Sequence, residues 1–195
     1  QTAPIPVPAE IGAAARPMSW PRRLLLIVLS VLALFIFTYI LAWFNSSRLA
    51  TEFFTSAETA YQEGRYLDAL AGYEVVDPAT RTRATYSGYY QVTRLWKSDG
   101  AQPKPANYNL AVSRIDEIIR QKLDISSAEG FIQTYTGRSH PLFADVYLRL
   151  GELYEESGDK QTAVEIYKEV AASFPTRPDI TQAALEQLDR LGVTP

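Results

Sequence analysis

From Leu24 to Phe44 the chain reads LLLIVLSVLALFIFTYILAWF, twenty-one residues without a charge, a glycine or a proline. The run reads as a transmembrane helix, because at about 1.5 Å of rise per residue it covers roughly 31 Å, the thickness of a hydrocarbon core. Lipid offers the backbone no water, so a lone span must be helical to pair its own N–H and C=O groups. Three parts are therefore expected: an arm over residues 1–23, the span over 24–44, and a single modest domain over 45–195.

The flanks set an expected orientation. Arg16, Arg22 and Arg23 precede the run, whereas the first twenty residues after it carry Arg48 beside Glu52, Glu58 and Glu63. Positive charge stays on the cytoplasmic side. The arm is thus expected in the cytoplasm and residues 45–195 outside it, in the periplasm of a bacterium, with a single pass through the inner membrane. Trp20 and the group Tyr39, Trp43 and Phe44 stand near the two ends, where amphipathic rings favour the headgroup level. The rival reading is a cleaved signal peptide. Its apolar region usually runs about 7–15 residues and ends in small residues, whereas this run is longer and ends in Trp43-Phe44.

The arm carries Pro4, Pro6, Pro8, Pro17 and Pro21 and cannot build a core. It is expected to run extended and to become ordered only against a partner, which points to a larger assembly.

Composition narrows the chemistry. Setting aside Arg16, Arg22, Arg23 and Glu10 from the chain's 19 Lys and Arg and 22 Asp and Glu leaves 16 and 21 in residues 45–195, a net charge of −5. That balance argues against nucleic acid and against lying flat on anionic lipid. Cysteine is absent and His140 is the lone histidine, so thiol nucleophiles, iron–sulfur clusters, structural zinc and Ser-His-Asp triads have almost no raw material. His140-Pro141 reads as the loop before a helix. The cluster Glu152, Glu155, Glu156 and Asp159 reads as a solvated helix face rather than a cation site or an acid–base pair. Tyr86, Tyr89, Tyr90 and Trp96 read as core rather than as a stacking platform. No spacing here suggests haem, quinone or pigment. Neither a cofactor nor a metal nor a small-molecule substrate is expected, and the chain reads as a non-enzyme.

Beyond the span, apolar spacing turns helical and stays so, which makes the expected fold all-α. Leu49, Phe53, Ala57, Ala60 and Tyr61 continue a helix with no breaker before Gly64, so the span is expected to run on into the domain. A second helix is expected from Tyr66 through Val76, ending before Pro78. The same pattern returns over Leu142–Ser157, a Gly158-Asp159 turn, and Lys160–Phe174. Gly64 and Gly158, Ala69 and Ala163, and Tyr73 and Tyr167 correspond at one offset of 94. Between these hairpins, Arg83–Trp96 and Asn107–Leu123 are expected to form a third whose loop has lengthened. Ser126–Tyr135 adds a short helix, and Asp179–Leu191 a terminal one closed by Gly192.

The segment YLRLGELYEESGDKQTAVEIYKEVAASFP, residues 147–175, resembles the tetratricopeptide repeat. Tyr147, Leu150, Gly151, Tyr154, Ala163, Tyr167 and Pro175 match its pattern, with Val170-Ala171 at its small-residue position. The first copy departs from it, with Ala57 in place of the helix-packing glycine and Ala60 in place of the next aromatic. The resemblance implies a solenoid of helical hairpins, at about 48–78, 80–123 (degenerate) and 142–175, with a capping helix over 179–192. It also implies a non-catalytic, protein-binding role through a concave groove. Carried over by alignment, the groove residues are Asp145, Leu148, Glu152 and Glu155 in the last repeat, with Phe54, Glu58 and Tyr61 in the first.

The expected partners are the lipid bilayer and other protein subunits. The leading reading is an accessory subunit that anchors and braces a multi-subunit membrane complex, respiratory or photosynthetic electron transfer being one such setting. A second is an ancillary factor of a translocon or a periplasmic chaperone, and a third is a membrane-tethered hydrolase.

Overall fold

The computed structural model describes residues 20–78 and 80–193. It divides into two compact units, residues 1–44 and residues 45–195. The expected extended arm lies outside the described residues, apart from its last four. Those four are already helical, with Pro21 in the first turn, where its missing N–H costs nothing.

Helix α1 runs without a break over Trp20–Gln62, as its unbroken apolar spacing requires. Its first part belongs to the first unit and is long and apolar enough to cross a membrane. Thr38 does not interrupt it, because its hydroxyl turns back onto the carbonyl oxygens of Leu34 and Phe35 at 2.7 and 3.0 Å.

In the second unit, α1 ends at a left-handed glycine, Gly64, with φ of 76°. The Gly64 amide donates to Tyr61 O at 3.0 Å and the Arg65 amide to Ala60 O at 2.9 Å. The same pair of bonds recurs 94 residues later, from the Gly158 amide to Glu155 O at 3.0 Å and from the Asp159 amide to Tyr154 O at 2.9 Å, with Gly158 at φ of 93°. Both are the reciprocal closure that a residue without a Cβ permits at a helix end. Ala69 and Ala163, one turn into the helices that follow, are both fully buried.

There the correspondence stops. The helix expected through Val76 ends as α2 at Tyr66–Ala71, and the chain enters a strand, β1, over Tyr73–Val76. Gly72, at φ of 85°, forces the change, and a Cβ on it would stand 2.5 Å from Tyr86 O. The residues beyond it are aromatic and β-branched, types that suit a pleat. The expected helix over Arg83–Trp96 is corrected in the same way. Arg83–Tyr86 form β2, antiparallel to β1 in the register Tyr73 to Tyr86 and Val76 to Arg83, and helix α3 spans only Tyr89–Leu95. Tyr73 therefore stacks on Tyr86, ring centroids 4.8 Å apart, instead of filling a helix pair as Tyr167 does.

The remaining elements follow their spacing. Helix α4 (Ala106–Glu117) packs against α3 and widens into a π turn over Ile118–Lys122, closed by the Leu123 amide on Ile118 O at 3.1 Å. Helix α5 (Ile125–Tyr135) is capped by Asp124, whose carboxylate accepts from the Ser127 amide at 2.7 Å. Helices α6 (Phe143–Glu156) and α7 (Lys160–Ser173) form the last hairpin, and α8 (Pro178–Arg190) closes on α7 before Gly192. The core threads through Leu70, Tyr89, Val92, Trp96, Ile118, Phe131, Val146, Tyr167, Val170 and Leu188. A short β-hairpin inside an otherwise helical array is the fold's one departure from the expected class among the described residues.

Candidate interaction groove

Helix α6 carries its small and apolar residues toward α7 and turns Asp145, Leu148, Arg149 and Glu152 the other way, at the three- and four-residue spacing of one helix face. The π turn brings Ile119 and Arg120 opposite them, and α8 supplies Ile180 and Ala183. The result is a groove of about 460 Å³ whose floor is Val112, Ile115, Ile119, Leu142, Leu148, Ile180 and Ala183.

Every charge around this floor is met within the protein. Arg120 Nε stands 2.6 Å from Asp116, and Arg177 grips both oxygens of Asp145 at 3.1 and 3.2 Å. Arg149 bridges Glu152 at 2.9 Å and Glu156 at 2.6 Å. A surface of this kind rewards burial of apolar atoms and offers little net charge to a partner.

Of the seven residues carried over by alignment, Asp145, Leu148 and Glu152 stand together in this groove. Glu155 stands one turn further on, where it accepts from Tyr167 Oη at 3.1 Å and from Arg190 Nη2 at 2.7 Å. Phe54, Glu58 and Tyr61 lie on α1 and contact side chains of α3 and α4, while Phe54 and Glu58 also line a separate shallow groove along α1. Phe54 packs on the Tyr89 ring at 5.5 Å. Glu58 accepts from Tyr89 Oη at 2.5 Å, from Gln62 at 2.9 Å and from Arg114 at 3.1 Å. Tyr61 donates to Glu117 at 2.5 Å, beneath the Arg114 guanidinium at 4.3 Å from its ring.

This cluster is a brace. Burial pushes the Glu58 carboxyl up, but the bonds from Tyr89, Gln62 and Arg114 together outweigh it and hold the group below its ordinary value. The Tyr61 hydroxyl and then Arg114 do the same for Glu117. The stability these carboxylates supply is present above the ordinary carboxylate pKa of about 4.5 and is lost as pH falls further. Replacing Arg114 by Met keeps the stem but leaves Glu58 facing α4 without its cation. An unfolding midpoint lowered by about 1–3 kcal/mol is expected, between an exposed pair and a buried one, and denaturant titration in detergent checks it.

The groove wall from α4 and α8 was not found from the sequence. Val112, Ile115 and Ile119 do carry helical spacing, and that signal marks an apolar face without saying what lies opposite it.

Residues 145–177 match the family model of the tetratricopeptide repeat. They contain α7 and all but the first two residues of α6, so the segment that supplies one wall of the groove is similar to a repeat module that typically mediates binding to other proteins. No curated protein and no solved structure matches the chain.

Proposed function

We propose that this protein is a non-catalytic scaffold, held in a bacterial inner membrane by Leu24–Phe44 with its arm in the cytoplasm and its repeat domain outside. There it acts as an accessory subunit that braces other subunits of a membrane complex, an energy-transducing one being the setting we favour. The observation that carries the reading is the groove beside the matched repeat: an apolar floor of seven side chains with its flanking charges already paired. Membrane insertion is supported by the length and composition of the first part of α1. The orientation is supported by Arg16, Arg22 and Arg23 on one flank only.

The test is a pair of groove variants, Leu148→Glu and Ile115→Glu, expressed in place of the natural chain. Both side chains are half-buried and open onto the groove, where a carboxylate reaches water, so helicity by circular dichroism is expected to be unchanged. Each variant is expected to lose at least about tenfold of the subunits that co-purify with the wild type, since a carboxylate in an apolar contact costs more than 1.4 kcal/mol. Full retention of those subunits by both variants would refute the groove as the contact.

A further inference from the structure

We propose that His140 is an acid-sensitive pin in the repeat domain: protonation of its imidazole loosens the junction at which α3, α5 and the start of α6 meet. The side chain is half-buried in a nest of rings, with centroids of Tyr135 at 4.3 Å, Phe131 at 5.1 Å and Tyr90 at 5.1 Å. Tyr90 comes from α3, Phe131 and Tyr135 from α5, so one side chain closes a joint between two helices that follow different parts of the chain. The backbone on its other side leads into α6: the Leu142 amide donates to His140 Nδ1 at 3.3 Å, and the Phe143 amide donates to His140 O at 3.0 Å.

This arrangement suits a neutral ring and opposes a charged one. Nδ1 serves as an acceptor, so a proton placed there meets the Leu142 N–H head on and the bond is lost. None of the side chains in ring contact with His140 is a carboxylate. The charged groups felt at this junction, Arg138 and Asp68, act on Tyr135. Burial alone holds the imidazole below its ordinary value. An opened junction releases that restraint and binds the proton more readily. Closure is therefore complete above the ordinary histidine pKa of about 6.5 and weakens as pH falls below it. The braced carboxylates Glu58 and Glu117 titrate lower, below the ordinary carboxylate value, so the two effects occupy separate windows.

Hydrogen–deuterium exchange on the full chain in detergent micelles tests the proposal, with rates corrected for the intrinsic pH dependence of exchange. Between about pH 7 and about pH 5, protection of amides in residues 125–147 is expected to fall by up to roughly tenfold per pH unit, the limit for one proton, while residues 160–190 change little. His140→Phe keeps a ring in the nest, and His140→Asn keeps an acceptor for the Leu142 amide. Both are expected to remove the pH response of residues 125–147 and keep the fold at neutral pH. A wild type whose protection is flat across this range overturns the proposal. So does protection that rises on acidification, which would mean that the rings hold the imidazolium by its charge. The same fall in either His140 variant also overturns it, since the response would then come from another group.

Discussion

Tyr167→Ala is expected to lower the stability of the repeat domain by about 3–5 kcal/mol, the range for removing a fully buried aromatic ring without a replacement. Tyr167 is 0% exposed, wedged between α6 and α7 with its hydroxyl on Glu155. Its ring fits because residue 151 has no side chain. A Cβ at Gly151 would stand 2.6 Å from Tyr167 Cε1, 2.9 Å from Cδ1 and 3.2 Å from Ile166 Cγ2. Two of these separations are shorter than real Cβ contacts, and the ring is fully buried, so Gly151→Ala alone is expected to cost about 1–3 kcal/mol. The two substitutions share one space. Combining Gly151→Ala with Tyr167→Ala is therefore expected to cost clearly less than the sum of the singles, because the new methyl then faces the void left by the ring. Equilibrium unfolding in detergent, followed by circular dichroism, gives all three values. Strict additivity would show that Gly151 and Tyr167 do not meet.

The second large effect concerns the apolar part of α1. Replacing Leu34 and Phe35, near the middle of the run, by arginine is expected to raise the cost of insertion by about 6 kcal/mol, at about 3 kcal/mol per central arginine. The wild type is expected to resist alkaline extraction and to float with vesicles, whereas the double variant is expected in the aqueous or aggregated fraction. A wild type released by alkali, or cleaved after Leu24–Phe44 during maturation, would show a signal sequence and remove the membrane anchor from the proposal. The comparison is informative because the double variant leaves residues 45–195 unchanged.

The helix ends were largely legible in the sequence because their signals are local. Gly64 and Gly158 announce closures that prove identical bond for bond, and Pro175 and Gly192 mark ends that can be read without tertiary information. The hairpin at 73–86 was misread because Tyr73 and Val76 continue the three-residue apolar spacing that Leu70 begins on a helix face. What separates the readings is Gly72, whose positive φ, and the 2.5 Å at which a Cβ there would meet Tyr86 O, depend on a partner strand a dozen residues away. Ala57 tells the same story from the other side. The first copy carries a methyl where the last has Gly151, and Tyr73, the counterpart of Tyr167, stacks on Tyr86 in the sheet instead.

The groove was legible by half. Family spacing points to Asp145, Leu148 and Glu152 on the face of α6, but it carries no information about what stands across from them, and that wall is built by the π turn of α4 and by α8. Phe54, Glu58 and Tyr61 occupy corresponding positions in the first copy. There Glu58 and Tyr61 bond to Tyr89, Arg114 and Glu117, residues from the irregular middle of the chain that no repeat pattern locates.

The central proposal, a fixed scaffold subunit of a membrane complex, is tested most directly by gentle solubilisation of native membranes, followed by native-gel separation and mass spectrometry of whatever migrates with this chain. The expected result is a discrete band in which the protein keeps constant stoichiometry with integral membrane subunits, and in which the groove variants are depleted. Migration alone, or with a shifting set of exported proteins, would contradict it and favour a transient role beside a translocon or in periplasmic folding.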